Sequence, residues 1–140
     1  MTITRRYALA LGGGALALTG LSGLPAFASV ADDAIMKITG GAKVVEGGVD
    51  LTAPEIAENG NTVPVAVSAP GASVITILAP SNPSPAVATF NFGPLSGASE
   101  ASTRMRLAKT QKVIAVAKMA DGSFHTASAM VKVTIGGCGG

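Results

Sequence analysis

In 140 residues the chain has one cysteine, one histidine, one tyrosine and no tryptophan, and only 13% of it is charged. Each scarcity excludes something. One thiol and one imidazole leave the usual nitrogen and sulfur ligand set of a zinc site incomplete, and a lone cysteine cannot close an intramolecular disulfide. No phosphate-binding loop or dinucleotide fingerprint is present, so neither a metal nor an organic cofactor is expected. Ten basic residues face eight acidic ones. Two of the ten, Arg5 and Arg6, lie in a leader-like segment, and without them the chain is near neutral, which does not indicate nucleic-acid binding. A long uninterrupted apolar run is also missing. The stretch up to Leu24 is broken by Gly12, Gly13, Gly14, Gly20 and Gly23, so a retained membrane span is not expected.

What the N-terminus does contain is a leader pattern. Thr4-Arg5-Arg6-Tyr7 precedes a weakly apolar Ala, Leu and Gly stretch, and Pro25-Ala26-Phe27-Ala28 places small residues at a cleavage site. Residues 1–28 are therefore expected to be a signal peptide. Paired arginines ahead of a glycine-rich core favour the twin-arginine route, although the aromatic follows Arg6 one place earlier than is usual. A periplasmic protein without a membrane anchor is the expectation, since no cysteine follows the leader to take a lipid.

The remainder, residues 29–135, is the length of one modest domain of roughly 110 residues. Asp32 to Ile38 suits a short helix, with two acids at its start, apolar residues at three- and four-residue spacings, and Gly40-Gly41 to end it. Thereafter the pattern is of about seven short β-type runs punctuated by Pro and Gly. Val63, Val65 and Val67 alternate with Pro64, Ala66 and Ser68, and Pro64 argues for a strand edge or end. Phe90 and Phe92 share one face and are expected in the core, as are Met105 and Leu107 opposite Arg104 and Arg106. Gln111 to Met119 is apolar on both faces, which predicts an interior strand. Asp121-Gly122 predicts a hairpin. The last run, Ser123 to Ile135, is long for a strand, so a bulge near Ala127 to Ala129 is expected. Pro54 to Gly60 reads as a turn. The fold class is all-β, an immunoglobulin-like sandwich, with a small barrel as the alternative.

Cys138 is the one residue that suggests chemistry. It stands in Gly136-Gly137-Cys138-Gly139-Gly140 directly after the strand-like Val131 to Ile135, and no apolar side chain within two residues would bury it. Residues 136–140 are expected to form a solvated arm, because glycine loses the most conformational freedom on ordering. Three residue steps beyond Ile135, at about 3.3 to 3.6 Å each, carry the thiol roughly 10 Å clear of the domain. No cation flanks it, so its pKa is expected near the ordinary thiol value of about 8.5, and only a few per cent would be thiolate at neutral pH. Activation would then come from a partner. His125 is a remote candidate as a base, since the arm would have to fold back to meet it. Glu55 and Glu58 read as a solvated surface. Two readings of the thiol stay open from the residues alone: a covalent carrier, and a structural or adhesive domain that forms an interchain disulfide through Cys138. A thiocarboxylate carrier shares the Gly-Gly ending but needs cytoplasmic activation, against which the leader argues.

The tail after Val131-Lys132-Val133-Thr134-Ile135, with Pro54-Glu55-Ile56-Ala57-Glu58-Asn59-Gly60, Val63-Pro64-Val65 and the late strand Thr110 to Met119, resembles the SoxY family of periplasmic sulfur carriers. That resemblance implies a non-catalytic carrier of thiosulfate-derived intermediates. Cys138 would be the attachment point, and Gly136, Gly137, Gly139 and Gly140 would make the arm flexible. It implies that a haem enzyme joins thiosulfate to the thiol, that a manganese hydrolase releases sulfate, and that a molybdenum-haem dehydrogenase oxidises the remaining sulfane sulfur. It also implies a heterodimer with a second strand-rich subunit, SoxZ, which has no leader of its own.

Overall fold

The computed structural model describes residues 26–135. The leader arginines Arg5 and Arg6 and the tail residues Gly136, Gly137, Cys138, Gly139 and Gly140 lie outside the described residues.

Alternating side chains put one face of each strand into a shared core, and the strands divide into two sheets. In the smaller sheet, β4 (Val63–Ser68) runs antiparallel between β2 (Asp50–Thr52) and β7 (Glu100–Met105). In the larger, the order is β1 (Val44–Glu46), β9 (Phe124–Val133), β8 (Gln111–Met119), β5 (Ala72–Leu78) and β6 (Ala86–Asn91). A two-residue strand, β3 (Ile56–Ala57), also pairs with β9. Val63, Val65, Val67, Met105 and Leu107 face Ile75, Ile77, Val113, Ala115 and Val131 in one cluster, all buried. Phe90 and Phe92 pack against it, half-buried, as their shared face predicts. Two open sheets make this a sandwich and not a barrel.

A second, smaller cluster lies on the outer face of the larger sheet. Leu78, Ile114, Val116 and Phe124 are covered there by Ala34, Ile35 and Ile38 of α1 (Ala26–Thr39). This explains why β8 is apolar on both faces: one meets the opposing sheet, the other the helix. The helix begins earlier than the expected Asp32, because small and apolar residues that also suit a cleavage site are good helix formers. It ends where expected. The Gly40 N–H donates to Met36 O at 2.8 Å, and Gly40 and Gly41 take φ of 66° and 89°, which side-chain-bearing residues avoid. No helix among the described residues is long and apolar enough to cross a membrane.

Three local expectations are corrected. The described residues hold nine strands, not about seven, because Ala42 to Glu46 and Gly48 to Thr52, which the sequence pairs as one run, enter different sheets as β1 and β2, and β3 is too short to show a pattern. The predicted turn at Pro54 to Gly60 contains β3, which lies parallel to β9 with Ile56 opposite Lys132 and Ala57 opposite Val133. The bulge expected near Ala127 to Ala129 does not occur. Pairing with β8 runs without a shift from Gln111↔Val131 to Lys118↔Phe124, so β9 stays regular because a neighbour of similar length supports it over that whole stretch. The register shifts fall on β5 instead, at Ala72/Val74 and Ile77/Leu78. Pro64 is accommodated as predicted: β2 stops at Thr52↔Ala66, so no strand meets Pro64 on that side.

Candidate functional site

The tail follows β9, so the end of that strand sets the point from which Cys138 departs. The chain is held there from both edges. On the β8 side, the Val133 N–H donates to Thr110 Oγ1 at 2.9 Å, and the same hydroxyl donates to Val133 O at 3.4 Å. One side chain thus stands in for a strand partner where β8 has run out. On the β3 side, Lys132 N–H donates to Glu55 O (2.9 Å), Thr134 N–H to Ala57 O (3.1 Å), and Gly60 N–H to Ile135 O (2.8 Å). Thr134 Oγ1 adds a bond to Glu58 O at 3.2 Å. The ladder therefore continues to Ile135, the last described residue.

Both clamps are themselves braced. Gly60 O accepts from Leu107 N–H at 2.7 Å, tying the 55–60 segment to the chain leaving β7, so it bridges the two sheets. The turn carrying Thr110 rests on a polar cluster under the proline-rich loop. Gln111, buried, accepts from Ser81 N–H at 3.0 Å through Oε1 and donates to Asn82 Oδ1 at 2.9 Å through Nε2. Asn82 Oδ1 also accepts from Ala108 N–H (2.9 Å), and Asn82 Nδ2 donates to Arg106 O (2.7 Å). Every buried side-chain N or O among the described residues has a hydrogen-bond partner, which makes this cluster a rigid support.

Around the root, exposed Glu55 and Glu58 lie on the β3 side, while Lys112 and Lys132 lie on the outer face of β8 and β9. Beside them a groove of about 760 Å³ runs between α1 and β8–β9, lined by Ile35, Pro80, Ile114 and Met130 among others.

His125 is at the far end of β9, ten residues before Ile135, which is about 33 Å of strand. An arm of about 10 Å does not reach it. Its Nδ1 is 3.0 Å from Gly47 O, and the ring lies so close to Gly48 that a Cβ there would stand 2.8 Å from Nδ1. This is a packing role in the β1–β2 turn. Nearby, Asp121 Oδ1 accepts from Ser123 Oγ (2.6 Å) and Ser123 N–H (2.9 Å), and these bonds hold its carboxyl below the ordinary carboxylate range. No group of three or more His, Cys, Asp or Glu among the described residues could hold a metal ion.

Thr110, Gly60, Thr134, Gln111 and Asn82 were not marked by the sequence as site residues. Their roles depend on contacts between segments far apart in the chain, which no local pattern signals.

The family described as Sulfur oxidation protein SoxY matches residues 35–138, a span that ends on Cys138. The sulfur carrier protein SoxY from Chlorobium limicola f thiosulfatophilum is 44% identical, with a TM-score of 0.68, over 77% of this chain and 99% of that one. Two superoxide reductases share the fold alone. That from Ignicoccus hospitalis is 16% identical over 62% of this chain and 80% of its own, with a TM-score of 0.54. A putative one from Thermotoga maritima is 15% identical over 69% and 89%, with a TM-score of 0.51. Comparison with the curated proteins gives no match.

Proposed function

We propose that this chain, which belongs to the SoxY family of sulfur oxidation proteins, carries sulfur intermediates covalently on Cys138 and passes them between enzymes of a sulfur-oxidising system. The observation that carries this reading is the construction of the β9 terminus. A strand clamped on its β8 edge to Val133 and on its β3 edge to Ile135 delivers a glycine-flanked thiol from a fixed point, three residues away. A thiol meant for packing needs no such departure point.

The chain supplies a nucleophile and reach, and its partners supply the redox and hydrolytic chemistry. In loading, the Cys138 S–H bond breaks and an S–S bond forms to the sulfane sulfur of thiosulfate. A proton goes to solvent, and an electron pair goes to the haem enzyme that oxidises the two sulfurs. In release, water attacks the terminal sulfonate of the adduct. Sulfate leaves, and the sulfane sulfur stays on Cys138 as a persulfide. The molybdenum enzyme oxidises that sulfur to a sulfonate, taking the three oxygens from water and accepting the six electrons released, and a second hydrolysis frees sulfate and returns the thiol. The manganese hydrolase serves both hydrolyses. With no Lys, Arg or His beside Cys138 in the sequence, nothing local activates the thiol, which keeps each intermediate inert between visits. Periplasmic location, twin-arginine export through Arg5 and Arg6, and a heterodimer with a SoxZ-like subunit complete the reading.

Intact and peptide mass spectrometry, with and without reductant, on protein taken from cells oxidising thiosulfate tests it. Reductant-labile sulfane or sulfonate additions are expected on the Cys138 peptide and nowhere else, and Cys138→Ser abolishes them while leaving the fold intact. A plain protein–protein disulfide at Cys138 would instead support the interchain-link role.

A further inference from the structure

Reach decides what else must touch a partner. Cys138 is three residues beyond Ile135, so a receiving pocket comparable in depth to the roughly 10 Å arm brings its mouth against whatever surrounds the root. That surroundings is built of exposed apolar and cationic side chains on one face. Ile56 is 58% exposed, Met130 58% and Ile135 66%, three of the six large apolar side chains that stand exposed among the described residues. Register places Ile56 and Met130 on one face. Ile56 is opposite Lys132 in the β3–β9 pair, and Met130 is opposite Lys112 in the β8–β9 pair. Met130 and Lys132 are two positions apart on β9, so they point to the same face, about 7 Å along the strand. Ile56, Lys132, Met130 and Lys112 thus alternate apolar and cationic across the outer face. Met130 continues the patch into the groove lined by Ile35 and Ile114.

Nothing in the fold requires this exposure. Ala57, the neighbour of Ile56, points inward and is buried, and Val131, the neighbour of Met130, is fully buried, so the strands could present polar residues outward at no loss to the core. Resting on the carrier reading, we propose that Ile56 and Met130, with Lys112 and Lys132, form a docking collar for the mouth of the enzyme pocket that receives Cys138. Its partner surface is apolar and flanked by carboxylates.

The test uses the full chain, with thiosulfate saturating, the haem enzyme that loads it, and the carrier as the varied substrate. Ile56→Ser combined with Met130→Ser is expected to raise KM for the carrier at least tenfold while kcat at saturating carrier is kept. Lys112→Gln combined with Lys132→Gln is expected to flatten the dependence of KM on ionic strength. Leu95→Ser, at an apolar residue 100% exposed elsewhere, is expected to leave KM unchanged. The reaction of Cys138 with a small disulfide reagent is expected to keep its wild-type rate in every variant, showing that the arm itself is unaltered. An unchanged KM in the apolar double variant overturns the collar. So does loss of self-association or of the SoxZ-like subunit in that variant with loading intact, which would assign the patch to a subunit interface. Failure of the wild-type chain to be loaded at all overturns the carrier reading, and the collar with it.

Discussion

The hydroxyl of Thr110 does for Val133 what a continued β8 would do, and the end of β9 is held on that edge by this one side chain. Thr110→Val keeps the shape and removes both bonds. At an exposed site the expected loss is about 1 kcal/mol or less, read as faster amide exchange at Val133 with the reagent rate of Cys138 unchanged. At the opposite pole, Asp121 is held below its ordinary range by hydrogen bonds from Ser123. The sign follows from linkage: the folded-state value is depressed, so its contribution is complete above the unfolded value of about 3.9 and is lost as pH falls through the depressed one. Asp121→Ala is expected to be less stable than the parent at neutral pH and equal to it at the acid extreme, measured by denaturant unfolding across pH. Cys138 is a proposal drawn from the sequence, where its type, solitude and glycine neighbours are local facts. Thr110 was not legible there, since a threonine in a turn gains its meaning only from Val133, twenty-three residues away.

Among the elements, α1 is the one whose removal would leave the sandwich standing. Its Ala31, Ala34, Ile35 and Ile38 pack on the outer cluster, while the inter-sheet core cluster holds no residue of it. Ile35→Ser is expected to cost about 1–2 kcal/mol and to speed amide exchange through the helix and along β8, with β4 and β7 unaffected. The strands were readable where neighbours in sequence carry the signal, as in the alternation of β4 or the doubly apolar β8. β3 was not readable. Pro54 and Asn59-Gly60 are strong turn signals, and two residues cannot outweigh them. What makes Ile56–Ala57 a strand is the free edge of β9, some seventy-five residues later. The bulge in β9 was expected from length alone, and length ceases to be a problem when β8 matches it.

At the scale of the whole molecule, the two sheets are joined at the end of β9 by the 55–60 segment, which bonds to β9 on one side and to Leu107 on the other. The root is therefore as stable as the sandwich and should open only with it. Native-state exchange is expected to show the Thr134 amide protected to nearly the global stability, although it is almost the last described residue. Protection no better than a frayed end would mean that the clamps do not hold.

The same strand has a further consequence, for the order of events. β9 lies inside the larger sheet, with β8 on one edge and β1 and β3 on the other, yet it is the last of the described strands to be synthesised. Until it emerges, β1 and β3 have no partner, and β8 lacks one edge. The polypeptide cannot take its final form piecemeal as it is made. Its slow, non-local pairings are postponed until after β9 is free, so any step that requires a finished domain must wait for the segment that bears the thiol.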